Sequence, residues 1–154
     1  MVRQSFSLGR AEVHERLLAA LLEACAFCDE PVNRTLLCDM LAGPQYVNAP
    51  AESLKAGLVG PYQVGDQVFD SYNQGNIFHR FNANDPSDEK AEWIMHNIYT
   101  LLDRKFTRKY AAKGQEVLKN VFRKDAYERA KTLVATEAQR LMDETMVSAQ
   151  APLS

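Results

Sequence analysis

Apolar residues recur through the first part of the chain at the spacing of a helix covered on two sides. Val13, Leu17, Leu21, Ala24 and Cys28 fall at helical intervals, and Leu18, Leu22 and Cys25 widen the stripe. The pattern predicts a helix over 10–28. The run "DEP" at 29–31 breaks it. A proline is tolerated in the first turn of a helix, where its missing N–H would have no partner, and acids suit that positive end. A second helix is therefore expected over 31–41, stopped by Gly43-Pro44. In "YVNAPAESLKAGLVGPY", residues 46–62, Asn48 is a candidate cap and Pro50 opens a third helix. Leu54, Leu58 and Val59 form its buried edge, and Gly60-Pro61 ends it.

The period then changes. Residues 67–69 and 77–81 are β-favouring runs around the turn-forming "NQGN", which predicts a hairpin too short to stand alone. Ser87 is placed to cap the next helix, with Asp88 and Glu89 at its positive end. Its inner side is expected to carry Trp93, Ile94, Ile98, Leu101, Leu102 and Phe106. After Gly114 a short helix over 117–122 and a longer one over 125–146 should close the fold, the latter buried along Tyr127, Ala130, Val134 and Leu141. These elements predict a mainly α protein: five or six helices with one short β-hairpin. A single domain over 1–154 is expected, ordered over 8–147, with a frayed tail at 148–154.

Composition narrows the function classes. The chain has 154 residues, 46% hydrophobic and 25% charged, with a net charge of −2, so as a whole it has no strong attraction to nucleic acid or membrane. No apolar run approaches the roughly 20 residues of a membrane span, and no membrane insertion is expected. The first residues show no secretory pattern. Three cysteines, an odd number, suit a reducing compartment. A cytoplasmic location is the expectation.

Candidate chemistry is sparse. Cys25 and Cys28 form a CxxC, with Cys38 and His14 near in sequence, and such groups ligate zinc. Both cysteines sit on the apolar face of a helix, whereas zinc ribbons place CxxC on a turn, so the three thiols read as small buried hydrophobes. His14, His79 and His96 lie beside no recognisable nucleophile motif. There is no glycine-rich phosphate loop. No cofactor and no enzymatic activity are expected. Charge is uneven: residues 1–77 hold 5 basic and 9 acidic side chains, residues 78–154 hold 13 and 11. Eight bases crowd 104–124 against the single acid Glu116, among them Arg104, Lys105, Arg108 and Lys109. A nucleic-acid contact there ranks below a solvated face or the basic half of a protein contact.

Several stretches in order resemble one family. "LLEACAFCDEP", Asn33-Arg34, "YVNAP" at 46–50, the altered "LVGPY" at 58–62, "IFHRFNANDPSDEKAEWIM" and "NVFRKDAYERAKTLV" resemble the C-terminal part of the nitrate- and bicarbonate-binding proteins of bacterial ABC importers. The likeness runs over residues 13–135. It implies a lobe fragment of that fold, of about a third of its length. In some such importers a related domain is fused to the cytoplasmic ATPase and regulates uptake. The resemblance therefore implies a non-enzymatic accessory or regulatory module that binds protein, as a homodimer or within a larger complex. Leu18 and Leu22 on the doubly apolar first helix, together with Arg104, Lys105, Arg108 and Lys109, are the candidate partner contacts. A stable interface would cover roughly 800 Å² on each side. The alternatives are a small-anion receptor with a remnant site at His79, Arg80 and Asn82, and nucleic-acid binding through 104–124.

Overall fold

The computed structural model describes residues 2–101, 113, 114, 116–118 and 120–149. The fold is mainly α with one two-stranded antiparallel hairpin, as the hydropathy pattern predicts. The chain parts into two compact units, residues 21–84 and residues 1–20 with 85–154, and one helix, α2 (Ala11–Asp29), runs through the division.

In the unit of residues 21–84, α2 ends at Asp29. Pro31 opens a 3-10 turn (Pro31–Asn33), and α3 (Arg34–Ala42) follows without a break. Gly43 stops α3, and the chain turns through amide bonds from Tyr46 and Asn48 to the Gly43 carbonyl. Asn48 was expected as a helix cap. It instead takes a left-handed conformation (φ 53°) inside that turn, a state that Asn tolerates better than most residues. α4 (Ala51–Leu58) then begins directly behind Pro50. Leu37, Cys38 and Leu58 form the buried core, with Cys28, Leu41, Leu54 and Phe78 packed against it.

The hairpin is present, but its partners differ from the expected pair. β1 (Pro61–Val64) pairs with β2 (Gln67–Asp70), and Tyr62 stacks on Phe69 at 5.5 Å. Only Gly65 and Asp66 separate the strands, and Gly65 supplies the positive φ (60°) that so short a turn requires. Residues 77–81 form no strand; the His79 and Arg80 amides in their middle are drawn to a side chain described below. The "NQGN" segment opens instead with a helical turn, α5 (Ser71–Gln74), capped by Asp70 Oδ1 on the Tyr72 amide. The buried Ser71 hydroxyl donates to the Ala56 carbonyl at 2.7 Å and lies against the Gly60 carbonyl, so it ties α5 to the end of α4.

The other unit holds α1 (Gln4–Gly9), the first half of α2, α6 (Asp88–Leu101) and α7 (Lys124–Ala149). Hydropathy did not predict α1, which is only six residues long. Ser87 caps α6 as expected, accepting from the Lys90 amide at 3.3 Å. The buried apolar residues of this unit are small: Ala91, Ala126 and Ala130. Trp93, Ile94, Ile98 and Leu101 were expected on the inner side of α6 but are exposed, Trp93 by 67% and Leu101 by 87%. On α7, Ala130 is buried, Tyr127 and Val134 are half-buried, and Leu141 is exposed against expectation. Residues 116–118 and 120–121 are helical, in line with the short helix expected there. Leu102, Phe106 and residues 150–154 of the expected frayed tail lie outside the described residues.

The covered face of α2 also differs from the apolar stripe. Val13, Leu17 and Leu21 are exposed, whereas Leu22 is buried and Leu18 and Cys25 are half-buried. The reason is polar. His14 and Asp29 lie on the same face as Leu18, Leu22 and Cys25, and both are buried in hydrogen bonds. A buried polar group must be satisfied, so these two fix which side of the helix turns inward.

Two glycines test this packing. A Cβ on Gly75 would stand 2.6 Å from the Ser71 carbonyl oxygen, a backbone atom that cannot step aside. Gly75→Ala is expected to lower stability by about 2 kcal/mol in urea unfolding. Gly57→Ala, on α4 with only the Asn76 amide nitrogen at 4.0 Å, should hold or gain stability through helix propensity. Equal midpoints for the two variants would refute the crowding at Gly75.

Candidate functional site

The densest polar constellation gathers on Asp29. The "CDEPVNR" run places Asp29 on the last turn of α2 and Arg34 on the first of α3, and the intervening 3-10 turn folds one back on the other. Arg34 Nη2 donates to Asp29 Oδ1 at 2.8 Å. Both residues are buried, at 1% and 4% exposure. Arg34 Nη2 also reaches the Asn76 carbonyl at 2.8 Å, and Nη1 reaches the Leu58 carbonyl at 3.2 Å. The Tyr72 and Phe78 rings each lie 5.2 Å from its guanidinium carbon. A cation taken out of water needs this much compensation: a paired carboxylate, carbonyl oxygens for its N–H groups, and aromatic faces for its plane.

The second carboxylate oxygen holds the loop. Asp29 Oδ2 accepts from the His79 amide at 3.0 Å and the Arg80 amide at 2.6 Å. Arg80 Nε is 3.1 Å from the same oxygen, Arg80 Nη2 donates to the Tyr72 carbonyl at 2.5 Å, and its guanidinium lies 3.4 Å from the Tyr72 ring centroid. Asn84 Nδ2 closes the loop on the Phe78 carbonyl at 2.8 Å. Burial alone would push the Asp29 carboxyl up. The hydrogen bonds from the Arg80 amide, the Arg80 guanidinium and the His79 amide outweigh it and hold the carboxyl well below the usual range.

His79, Arg80 and Asn82, expected as anion ligands, are thus brought into one loop. The Arg80 guanidinium, however, is turned onto Asp29 and the Tyr72 carbonyl. The His79 ring is exposed, with Nδ1 3.4 Å from Asn84 Nδ2, and Asn82 adopts φ 55°. Leu22, expected as a partner contact, is covered by its own chain at 7% exposure, and Leu18 is half-buried. Arg104, Lys105, Arg108 and Lys109 lie outside the described residues. Cys38 is fully buried in the core, Cys28 packs on that core and Cys25 is half-buried. Burial raises the Cys28 and Cys38 thiols above their ordinary values. Among the described residues no three His, Cys, Asp or Glu side chains gather as a metal site would require. Asp29 and Arg34 are what sequence reasoning missed. The available signal was a charged pair five residues apart between two apolar helices, where an unpaired charge would be untenable.

A smaller cluster lies in the other unit. Ser7 Oγ is 3.0 Å from His14 Nδ1 and accepts from Arg123 Nη1 at 3.0 Å. Arg123 also grips Asp125 through two nitrogens at 2.7 Å, and Arg129 joins Asp125 to Glu15. The Arg123 and Arg129 hydrogen bonds hold the Asp125 carboxyl well below its usual range against the opposing effect of burial.

The chain is similar to ATP-binding proteins of anion import. It is 35% identical to the nitrate import ATP-binding protein of Synechocystis over 86 residues, 55% of this chain and 13% of that protein. It is 31% identical to the nitrate import ATP-binding protein of Synechococcus elongatus over 114 residues, 74% of this chain and 16% of that one. With the bicarbonate transport ATP-binding protein of Synechocystis it shares 27% over 130 residues, 79% of this chain and 18% of that protein. The chain therefore spans less than a fifth of the length of these relatives. No family model matches, and no solved structure does.

These matches correct two expectations. The relation to nitrate and bicarbonate importers holds, but the relatives are ATP-binding proteins rather than solute-binding proteins. The non-enzymatic accessory module inferred from the binding-protein family falls with that assignment. The phrases that carried the resemblance are helix segments together with the turns, caps and the Asp29–Arg34 pair that join them. They report how a segment folds and not which larger protein it serves. No described helix is long and apolar enough to cross a membrane.

The Asp29 site yields a two-part prediction. Asp29→Asn leaves the buried Arg34 and the half-buried Arg80 guanidinium without their counter-charge and is expected to lower stability by about 3 kcal/mol. The pH dependence follows from the depressed carboxyl. In the folded chain Asp29 stays ionised, whereas unfolded it protonates near about pH 4. Its contribution is complete above that value and is lost as pH falls below it toward the folded pKa. Urea midpoints of the parent chain should drop between about pH 5 and pH 3 more steeply than those of Asp29→Asn. Parallel curves would show that the carboxylate does not hold the loop.

Proposed function

We propose that this chain supplies, in an importer of nitrate or bicarbonate, the part that its matched segment supplies in the ATP-binding relatives. The observation that carries this reading is the extent of the matches along this chain. Stretches covering 74% and 79% of the chain align with import ATP-binding proteins. Asp29 fixes α2, α3 and residues 76–80 against one another without drawing on a ligand.

Binding tests the proposal. The probe is the Synechocystis nitrate import ATP-binding protein, trimmed of the segment this chain matches, in a preparation that still binds ATP. Labelled full-length chain should bind it saturably, with a Kd tighter than about 100 μM. The trimmed bicarbonate transport protein of the same organism provides a second arm, and tighter binding to one of them names the transported anion. No saturation with either protein at that concentration would overturn the reading.

A further inference from the structure

The short helix α1 is docked by a polar side chain. Of its six residues only Ser7 is buried, while Phe6 is half-buried and Leu8 is 65% exposed. So short a helix does not persist unsupported, and α1 depends on what Ser7 holds. Ser7 Oγ meets His14 Nδ1 and Arg123 Nη1, each at 3.0 Å, and the Phe6 ring stands edge-on to the imidazole at 6.2 Å. A guanidinium only donates, so Oγ accepts from Arg123 and its own hydrogen is available to Nδ1. The charges around this contact are already matched. α1 carries none. Arg123 grips Asp125 through two bonds of 2.7 Å, Arg129 on α7 joins Asp125 to Glu15 on α2, and Lys124 takes Asp88 on α6. Two guanidinium groups thus balance the carboxylates of Asp125 and Glu15. An imidazolium at His14, which is 7% exposed, would add a charge beside Arg123 with both of those carboxylates engaged.

We infer that Ser7, His14 and Arg123 form a proton-sensitive clasp, which keeps α1 on the fold while His14 is neutral and releases it under mild acid. This holds whether or not the function proposed above does. In the closed clasp Ser7 donates to a bare Nδ1, and the imidazole proton sits on Nε2. A second proton makes Nδ1 a donor. Ser7 Oγ then faces hydrogens from two cations in a place shielded from water, and its own hydrogen loses its acceptor. Withdrawal of Ser7 relieves both, and α1 has no other buried side chain to keep it in place. The docked state takes His14 neutral, whereas with α1 released the imidazole is free to protonate in its ordinary range, near about pH 6.5. Docking is therefore complete above that range and is lost as pH falls through it. His79 and His96 are exposed and gain protons in either state, so they add no such dependence. The Asp29 carboxylate acts below about pH 5, in a separate window.

Hydrogen exchange of the full-length chain, read residue by residue by NMR and corrected for the intrinsic effect of pH, tests the clasp. The reporters are the Phe6, Ser7 and Arg10 amides, which bond within the α1 turn, and the amides of α3 and α4 serve as the control. Protection of the three reporters should fall about tenfold or more between about pH 7.5 and pH 5.5, with the control unchanged. His14→Asn keeps an acceptor oxygen on a short side chain and takes no proton, so its reporters should change less than about twofold over the same range. Ser7→Ala should leave them weakly protected at both pH values. Ring nitrogen shifts of the parent chain give a readout that needs no variant: at about pH 7.5 they should show Nδ1 bare and Nε2 protonated. Equal protection of the parent's reporters at the two pH values would overturn the inference. So would the parent's full loss of protection in His14→Asn, a protonated Nδ1 at neutral pH, or an equal loss in the control.

Discussion

A buried carboxylate sets the geometry of residues 21–84. An ionised Asp removed from water is tolerable only when its oxygens are occupied by donors that cannot drift away. Asp29 meets this with one guanidinium on Oδ1, and on Oδ2 two backbone amides and the Arg80 side chain. The donors come from α3 and from a loop about fifty residues further along the chain. Satisfying one side chain thus fixes three segments at once. The apolar core beside it is small, built on Leu37, Cys38 and Leu58. Burial of that size favours collapse but leaves many arrangements of similar energy. The directional bonds of Asp29 and Arg34 choose among them. Replacing such a pair by well-fitted apolar residues can be neutral in stability, whereas removing one partner is not.

The same carboxylate explains what could be read from the chain and what could not. Helix existence was legible, because the periodicity over 10–28, 31–41 and 125–146 is long, and because Pro31, Gly43, Ser87 and Gly60-Pro61 punctuate it. The orientation of α2 was not. Hydropathy weighs Val13, Leu17 and Leu21 and ignores His14 and Asp29, yet a satisfied buried polar group constrains a helix more sharply than one more leucine does. The hairpin was half legible. Gln67–Asp70 is a strand, but its partner lies before it across Gly65-Asp66. Residues 77–81 have β-favouring side chains, but the His79 and Arg80 amides serve Asp29 instead of a ladder. On α6 large apolar side chains were taken for the buried face, while Ala91 is the residue covered. Of the site, the loop residues His79, Arg80 and Asn82 were found, but their organising acid on a distant helix was not.

The relation to anion importers was legible for a related reason. Turns and caps with strict backbone demands, such as the Pro31 turn and the Ser87 cap, leave short, recognisable phrases in order along the chain. Phrases of that kind identify a packing solution. They do not tell which larger protein contains it, and the relatives that the alignments give are import ATP-binding proteins.

The two units differ in how their charges are used. In residues 1–20 with 85–154 the ion pairs Arg129–Glu15, Lys124–Asp88 and Arg140–Glu137 each involve at least one well-exposed side chain. Exposed pairs of this kind contribute little and weaken further in salt. In residues 21–84 the Asp29–Arg34 pair is sealed from water and its donors are shared with backbone. Salt screens exposed pairs and does not loosen the second arrangement, so the geometry of residues 21–84 is held by its buried pair and not by its surface charges.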